Sequence, residues 1–139
     1  MIITKTPLRI SFFGGGSDFP EHYWRHGGAC LSSAIDKYIY IVITNRHDGK
    51  TAVNYGPRHS IGKTPLDIDH DLIRAANSHL FYDHGIDMSE TETTTIADIS
   101  GRGSGLGSSS ALLVGYLNAL MMNINTPPDR LKPYNPKPP

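Results

Sequence analysis

Gly101-Arg-Gly-Ser-Gly-Leu-Gly-Ser-Ser-Ser-Ala111 runs without a break into Leu112-Leu-Val-Gly-Tyr-Leu-Asn-Ala-Leu-Met-Met122. Four glycines and four serines in eleven residues make a loop whose backbone can take positive φ and be approached closely by a ligand. The apolar run behind it has the length of a helix, so the spacing predicts a glycine loop opening into a helix over 108–123. Successive N–H groups in such a loop form a concave anion site, and the helix start adds further unpaired N–H groups and the positive end of its dipole. Phosphate is the natural guest. Ser108, Ser109 and Ser110 offer hydroxyls for capping, for phosphate oxygens or for a metal-bound oxygen. A plain glycine-serine linker would lead into another polar stretch, not into an apolar helix.

Two phosphate loops are excluded. The P-loop needs a lysine after its last glycine, and no lysine occurs between Lys63 and Lys132. In the dinucleotide pattern G-x-G-x-x-G, the final position counted from Gly101 is Leu106 and counted from Gly103 is Ser108.

Gly105-Leu-Gly-Ser-Ser-Ser-Ala111 resembles the second motif of the GHMP kinases, the superfamily of galactokinase, homoserine kinase and mevalonate kinase. One departure is that Gly101 stands where that pattern has proline, which would fix φ at the loop's entry. Near the N-terminus, Arg9-Ile-Ser-Phe-Phe-Gly14-Gly-Gly-Ser-Asp18 resembles the first motif of the sugar kinases in that superfamily. Its Gly-Gly-Gly-Ser-Asp form is most similar to that of heptose 7-phosphate kinases. Read locally, Ser17 and Asp18 make a turn and cap a helix beginning near Phe19-Pro20.

The resemblance implies more than local chemistry does. It implies an α+β fold like the second domain of ribosomal protein S5, a mixed or antiparallel sheet with helices packed on one face. It implies ATP and Mg2+ as cofactors and phosphoryl transfer to the hydroxyl of a small-molecule sugar phosphate. Carried over by position, Gly103, Ser104, Gly105, Leu106, Gly107, Ser108, Ser109 and Ser110 would hold the ATP phosphates, with Ser109 or Ser110 toward magnesium. Gly16, Ser17 and Asp18 would bind the sugar. Arg9 would act in catalysis beside the transferring phosphoryl group, where a fixed cation stabilises developing charge. Lys5 is a weaker candidate for added positive charge.

Composition narrows the partners. Thirteen lysines and arginines balance thirteen aspartates and glutamates, so neither nucleic acid nor a membrane surface is expected as a bulk electrostatic partner. No apolar run reaches the length of a membrane span, and the N-terminus lacks the pattern of a secretory signal. Cys30, between Ala29 and Leu31, has no partner cysteine; it is expected to be buried, and the protein to be cytoplasmic.

The remaining chain supplies the frame. Strands are expected over 2–6 and 8–13, divided by Pro7, with Leu8, Ile10 and Phe12 inward and Arg9 and Ser11 on the other face. A second strand is expected over 27–35, a turn at Asp36-Lys37, and a central strand over 38–44. Residues 51–55 and 58–61 read as edge strands, and 67–84 as an amphipathic helix with Leu72, Ile73, Ala76, Leu80 and Phe81 on one side. His70, His79 and His84 read as that helix's solvated face. The β-branched stretch Thr93–Ile99 delivers the chain to the glycine loop, and the helix after it, apolar nearly all round, is expected to be interior.

Six of the last thirteen residues are proline, so 126–139 is expected to be an extended, disordered tail after a domain spanning 1–125. A GHMP kinase would carry a third motif, a catalytic aspartate and a second domain beyond this point. Three readings follow: an N-terminal piece of a sugar-phosphate kinase, inactive alone; one part of a split kinase with a separate C-terminal half; or a non-catalytic nucleotide-binding module.

Overall fold

The structure, a computed structural model, describes residues 1–99 and 104–123. Gly103 and the expected tail over 126–139 lie outside the described residues. The order is β1 (Ile2–Phe13), α1 (Pro20–His26), β2 (Leu31–Asn45), β3 (Thr51–Tyr55), β4 (Arg58–Gly62), a 3-10 turn (Pro65–Asp67), α2 (Asp71–His84), β5 (Thr91–Ala97) and α3 (Ser108–Asn123). The strands form one sheet in the order β1-β2-β5-β3-β4, antiparallel except for the parallel β3–β5 pair. The expected mixed sheet is therefore present.

One face of that sheet carries the core. Thr4 and Leu8 of β1, Ile39, Ile41 and Ile43 of β2, Val53 of β3, and Thr91 and Thr93 of β5 are buried there. Helices α2 and α3 supply Ile73, Ala76, Leu80, Ala111, Tyr116, Ala119 and Leu120 to the same cluster. Burying a leucine- or isoleucine-sized side chain contributes about 1.5–3 kcal/mol, so this face is what holds the helices to the sheet. The two helices are also keyed by a buried polar chain: Tyr116 OH donates to Asn77 Oδ1, and Asn77 Nδ2 donates to Pro65 O.

Several boundaries differ from expectation for visible reasons. Pro7 does not divide β1, because β1 is the sheet's edge strand, where a residue without N–H is tolerated. Asp36-Lys37 does not break β2; the β1–β2 ladder steps from Pro7↔Tyr38 to Arg9↔Ala34, and the irregularity absorbs the pair. β3 is an inner strand, and only β4 lies at that edge. α2 starts at Asp71, not 67, with His70 as its N-cap.

Beyond Leu8 the β1–β2 ribbon leaves the sheet. Ile10 and Phe12 are exposed, and so is Cys30. α3 is buried on one side only: Val114 and Met122, on a four-residue stripe with Ser110 and Asn118, face out.

Candidate functional site

α3 begins where the sequence places it, and the amides around its start lack carbonyl partners among the described residues. Gly105 and Gly107 both take the left-handed conformation, with φ +68° and +70°. The first helical bond runs from Ala111 N to Gly107 O at 2.9 Å. Among the described residues, no carbonyl accepts from the N–H groups of Gly105, Gly107, Ser108, Ser109 or Ser110. The Leu106 amide meets only the Ser104 hydroxyl, at 3.4 Å, and that hydroxyl lies 3.3 Å from Ser108 Oγ. Residues 104–110 line an open cavity of about 210 Å³. Unpaired amides at the positive end of a helix dipole, with serine hydroxyls among them, suit an anion.

The sheet fixes this loop through Arg9. At the ladder irregularity the Arg9 amide turns from β2 and donates to Leu106 O at 3.1 Å. The side chain then crosses Gly107 so closely that a Cβ there would lie 3.0 Å from Arg9 Cγ and 3.2 Å from Nε. Arg9 and the loop, nearly a hundred residues apart in sequence, are thus one unit. The other basic candidate is placed elsewhere: Lys5 Nζ sits 3.7 Å above the Tyr38 ring.

The Gly14–Asp18 turn is stapled internally. Gly14 takes φ +82°, with its α-carbon packed on the Ala29 carbonyl, so no side chain fits. Ser17 Oγ lies 2.8 Å from Gly14 O and 2.9 Å from Ala29 O, which share its one hydrogen, and accepts from Ala29 N at 3.2 Å. Its hydroxyl is committed to holding the turn. Asp18 does not cap α1, whose N-cap is Phe19; its Oδ1 accepts from Gly16 N at 3.1 Å, and the exposed carboxylate makes no other hydrogen bond among the described residues. Gly16 takes φ +96°. Asp18 lines neither cavity around α3; the link between its turn and the glycine loop is β1, through Arg9.

A larger open cleft of about 950 Å³ continues from Ser108 and Ser109 toward the β3–β4 turn. Its walls include Tyr55, Arg58, Asp69, His70, Ile96 and Leu112. This cleft has no local signature in the sequence, because its walls come from segments that look like unremarkable edge strands and a helix start. Tyr55 OH donates to Asp69 O, and the His70 ring stands edge-on to Tyr55 with centroids 4.7 Å apart.

His70 also caps α2, its Nδ1 accepting from Ile73 N at 3.4 Å, which requires an unprotonated Nδ1. Burial holds the His70 pKa below its ordinary value, opposed by neighbouring Asp71 and Asp69. The folded state therefore favours the neutral ring: this contribution is intact above the unfolded value near 6.5 and is lost as pH falls through and below it. Loss of an N-cap costs about 1 kcal/mol, or roughly 4 °C for a domain of this size. Thermal unfolding at pH 7.5 and 5.5 should show a drop of that order, and His70→Asn, which caps without titrating, should remove it.

Among the described residues, no group of three or more His, Cys, Asp and Glu side chains is placed to hold a metal. No helix there is long and apolar enough to cross a membrane.

Solved structures of small-molecule kinases share this fold. The mevalonate kinase of Methanococcus jannaschii superposes with a TM-score of 0.72 over 91% of this chain and 41% of that one, at 20% identity, a likeness of fold alone. Likeness in sequence as well points to the heptose phosphate kinases. A D-glycero-D-manno-heptose 1-phosphate kinase from Bacteroides thetaiotaomicron matches with a TM-score of 0.80 and 28% identity, over 91% of this chain and 43% of that one. The D-glycero-alpha-D-manno-heptose 7-phosphate kinase of Campylobacter jejuni is 29% identical over 135 residues, 91% of this chain and 39% of that protein. The chain thus resembles the N-terminal portion of these kinases and spans about two fifths of their length. No protein-family model matches it.

Proposed function

We propose that this chain provides the ATP- and sugar-binding portion of a cytoplasmic kinase that transfers a phosphoryl group from ATP to a hydroxyl of a sugar phosphate of the heptose 7-phosphate class. Residues 1–125 form its N-terminal domain, on a fold like the second domain of ribosomal protein S5, with 126–139 as a tail. The observation that carries this reading is the set of amides at Gly105 and Gly107–Ser110 without a carbonyl partner among the described residues, crossed by Arg9 and opening into the cleft. Five N–H donors and an arginine match the β- and γ-phosphates. The nucleoside lies along the cleft toward Tyr55 and His70, since Asp69 and Asp71 there would repel phosphate.

The donor set fits ATP directly and magnesium through it. The loop offers Ser109 and Ser110 hydroxyls, and Mg2+ is commonly held by one or two protein oxygens plus substrate phosphates. When bound, the ion would neutralise charge on the transferring group. Asp18 orients the acceptor, Gly16 keeps the turn open beside it, and Ser17 holds the turn's shape.

The reading assigns no general base within residues 1–123. The purified chain should therefore bind a fluorescent ATP analogue, displaceable by ATP, yet release little ADP in a coupled assay with heptose 7-phosphate. Ser109→Ala should weaken ATP by about 10-fold, the lower end of the worth of one hydrogen bond to a charged group. Absence of nucleotide binding would overturn the proposal; robust turnover by the chain alone would overturn its incompleteness.

A further inference from the structure

α1 presents two different faces. Pro20 and Tyr23, three residues apart, are half-buried and form the side turned to the protein, and Tyr23 Cβ lies 3.3 Å from where a Cβ on Gly28 would be. His22, Arg25 and His26 share the other side by the same spacing, and all three are exposed. The His22 and His26 rings lie 5.3 Å apart. Among the described residues no carboxylate stands within ion-pair distance of any of them, Glu21 included, although it is one turn from Arg25. The five N–H donors of Arg25 and the two imidazole rings are thus left without an ion-pair partner among the described residues, on a helix of seven residues.

This helix is not a loose appendage. Its entry is the Gly14–Asp18 turn and its exit is Gly27–Ala29, and Ser17 binds the two together at both the Ala29 N–H and C=O. Gly28 packs directly on the Ser17 carbonyl. The relation between the Asp18 carboxylate and the basic face is therefore fixed by the fold. At 1.5 Å per helical residue, His22 to His26 extends about 6 Å, a run that begins one turn beyond Asp18.

We infer that the His22–Arg25–His26 face of α1 receives the phosphate that the acceptor sugar already carries, while Asp18 takes a hydroxyl at its other end. The assignment rests on the sugar reading of Asp18 given above. It makes α1 the element that selects phosphorylated over neutral sugars. A guanidinium with two imidazoles offers a planar fork and rotatable ring donors to the phosphate oxygens. Because the transferring phosphate belongs to the glycine loop and this one to α1, the two anions occupy separate cationic sites.

Calorimetric titration of the 139-residue chain at pH 6.5 tests this with three ligands: D-glycero-D-manno-heptose 7-phosphate, the unphosphorylated heptose and inorganic phosphate. The wild type should favour the phosphorylated sugar at least about 10-fold, the worth of one charge-assisted hydrogen bond. The triple change His22→Gln, Arg25→Gln, His26→Gln should abolish that preference and leave the neutral sugar's affinity unchanged. Its positions are exposed, so circular dichroism should show the fold intact. Asp18→Asn should weaken both sugars and spare inorganic phosphate. A wild type that does not distinguish the two sugars, or a triple variant that keeps the preference, overturns the inference. Loss of preference in the triple variant with no effect of Asp18→Asn leaves the phosphate seat standing and overturns the sugar reading instead.

Discussion

Gly107→Val should lower ATP affinity by on the order of 100-fold, about 3 kcal/mol, while leaving the sheet and helices assembled. Two separate obstacles act at this position. Its φ of +70° is the left-handed region, an outlier for a β-branched residue that costs roughly 1–3 kcal/mol where it is enforced. The added Cβ also falls 3.0 Å from Arg9 Cγ, so the arginine stem must move. Relief of either obstacle spoils the site. Rotating the backbone re-aims the Gly107 and Ser108 amides, and shifting Arg9 displaces the cation beside them. Gly105→Ala separates the two causes: φ there is +68°, but nothing lies within 4 Å of the new carbon. It should therefore weaken binding less, through backbone strain alone. Titration with a fluorescent ATP analogue, with circular dichroism as the check on folding, measures both. An unchanged affinity in Gly107→Val would show that the amides before α3 do not hold the nucleotide.

The glycine loop and α3 were legible because their signals are local. A run of glycine and serine ahead of an apolar stretch announces both the break and the helix, and the helix start follows at Ser108. Its all-round apolarity was misleading about burial, since Val114 and Met122 face away from the sheet. The breaks placed at Pro7 and Asp36-Lys37 failed because pairing overrode local preference. Once β1 and β2 lie side by side, a proline on the open edge and a ladder irregularity cost less than ending either strand. Leu8, Ile10 and Phe12 alternate as an inward face should, yet only Leu8 has helices above it. Ser17 and Asp18 were legible as a turn, while the division of labour between them depends on Ala29, twelve residues past Ser17. The wide cleft was illegible altogether, for it exists only where the β3–β4 turn, the start of α2 and the start of α3 converge.

Gly115→Val should destabilise the fold by about 3 kcal/mol, the upper part of the usual range for overfilling a packed interior. Gly115 is the point at which α3 touches the sheet. Its carbonyl accepts from Thr4 Oγ1 at 2.9 Å, and a Cβ on it would lie 2.6 Å from Thr6 Oγ1 and 3.3 Å from Ile41 Cγ1. Glycine inside a helix costs up to about 1 kcal/mol against alanine, so the close approach must return more than that. Valine keeps the contact with none of the space. For a domain of some 120 residues, 3 kcal/mol corresponds to a fall in melting temperature of roughly 12 °C. Gly115→Ala regains helix propensity against a smaller intrusion, and should lose about 1 kcal/mol net. The functional consequence follows from geometry. Lifting α3 at Gly115 tilts the axis that aims the amides of Ser108 to Ser110, so ATP affinity should fall in Gly115→Val even at temperatures where the variant is folded. Urea denaturation together with nucleotide titration well below the melting point measures the two effects separately. A variant as stable as the wild type would mean that α3 is free to ride above the sheet, and the rigid aim of the anion cradle would then have no structural basis.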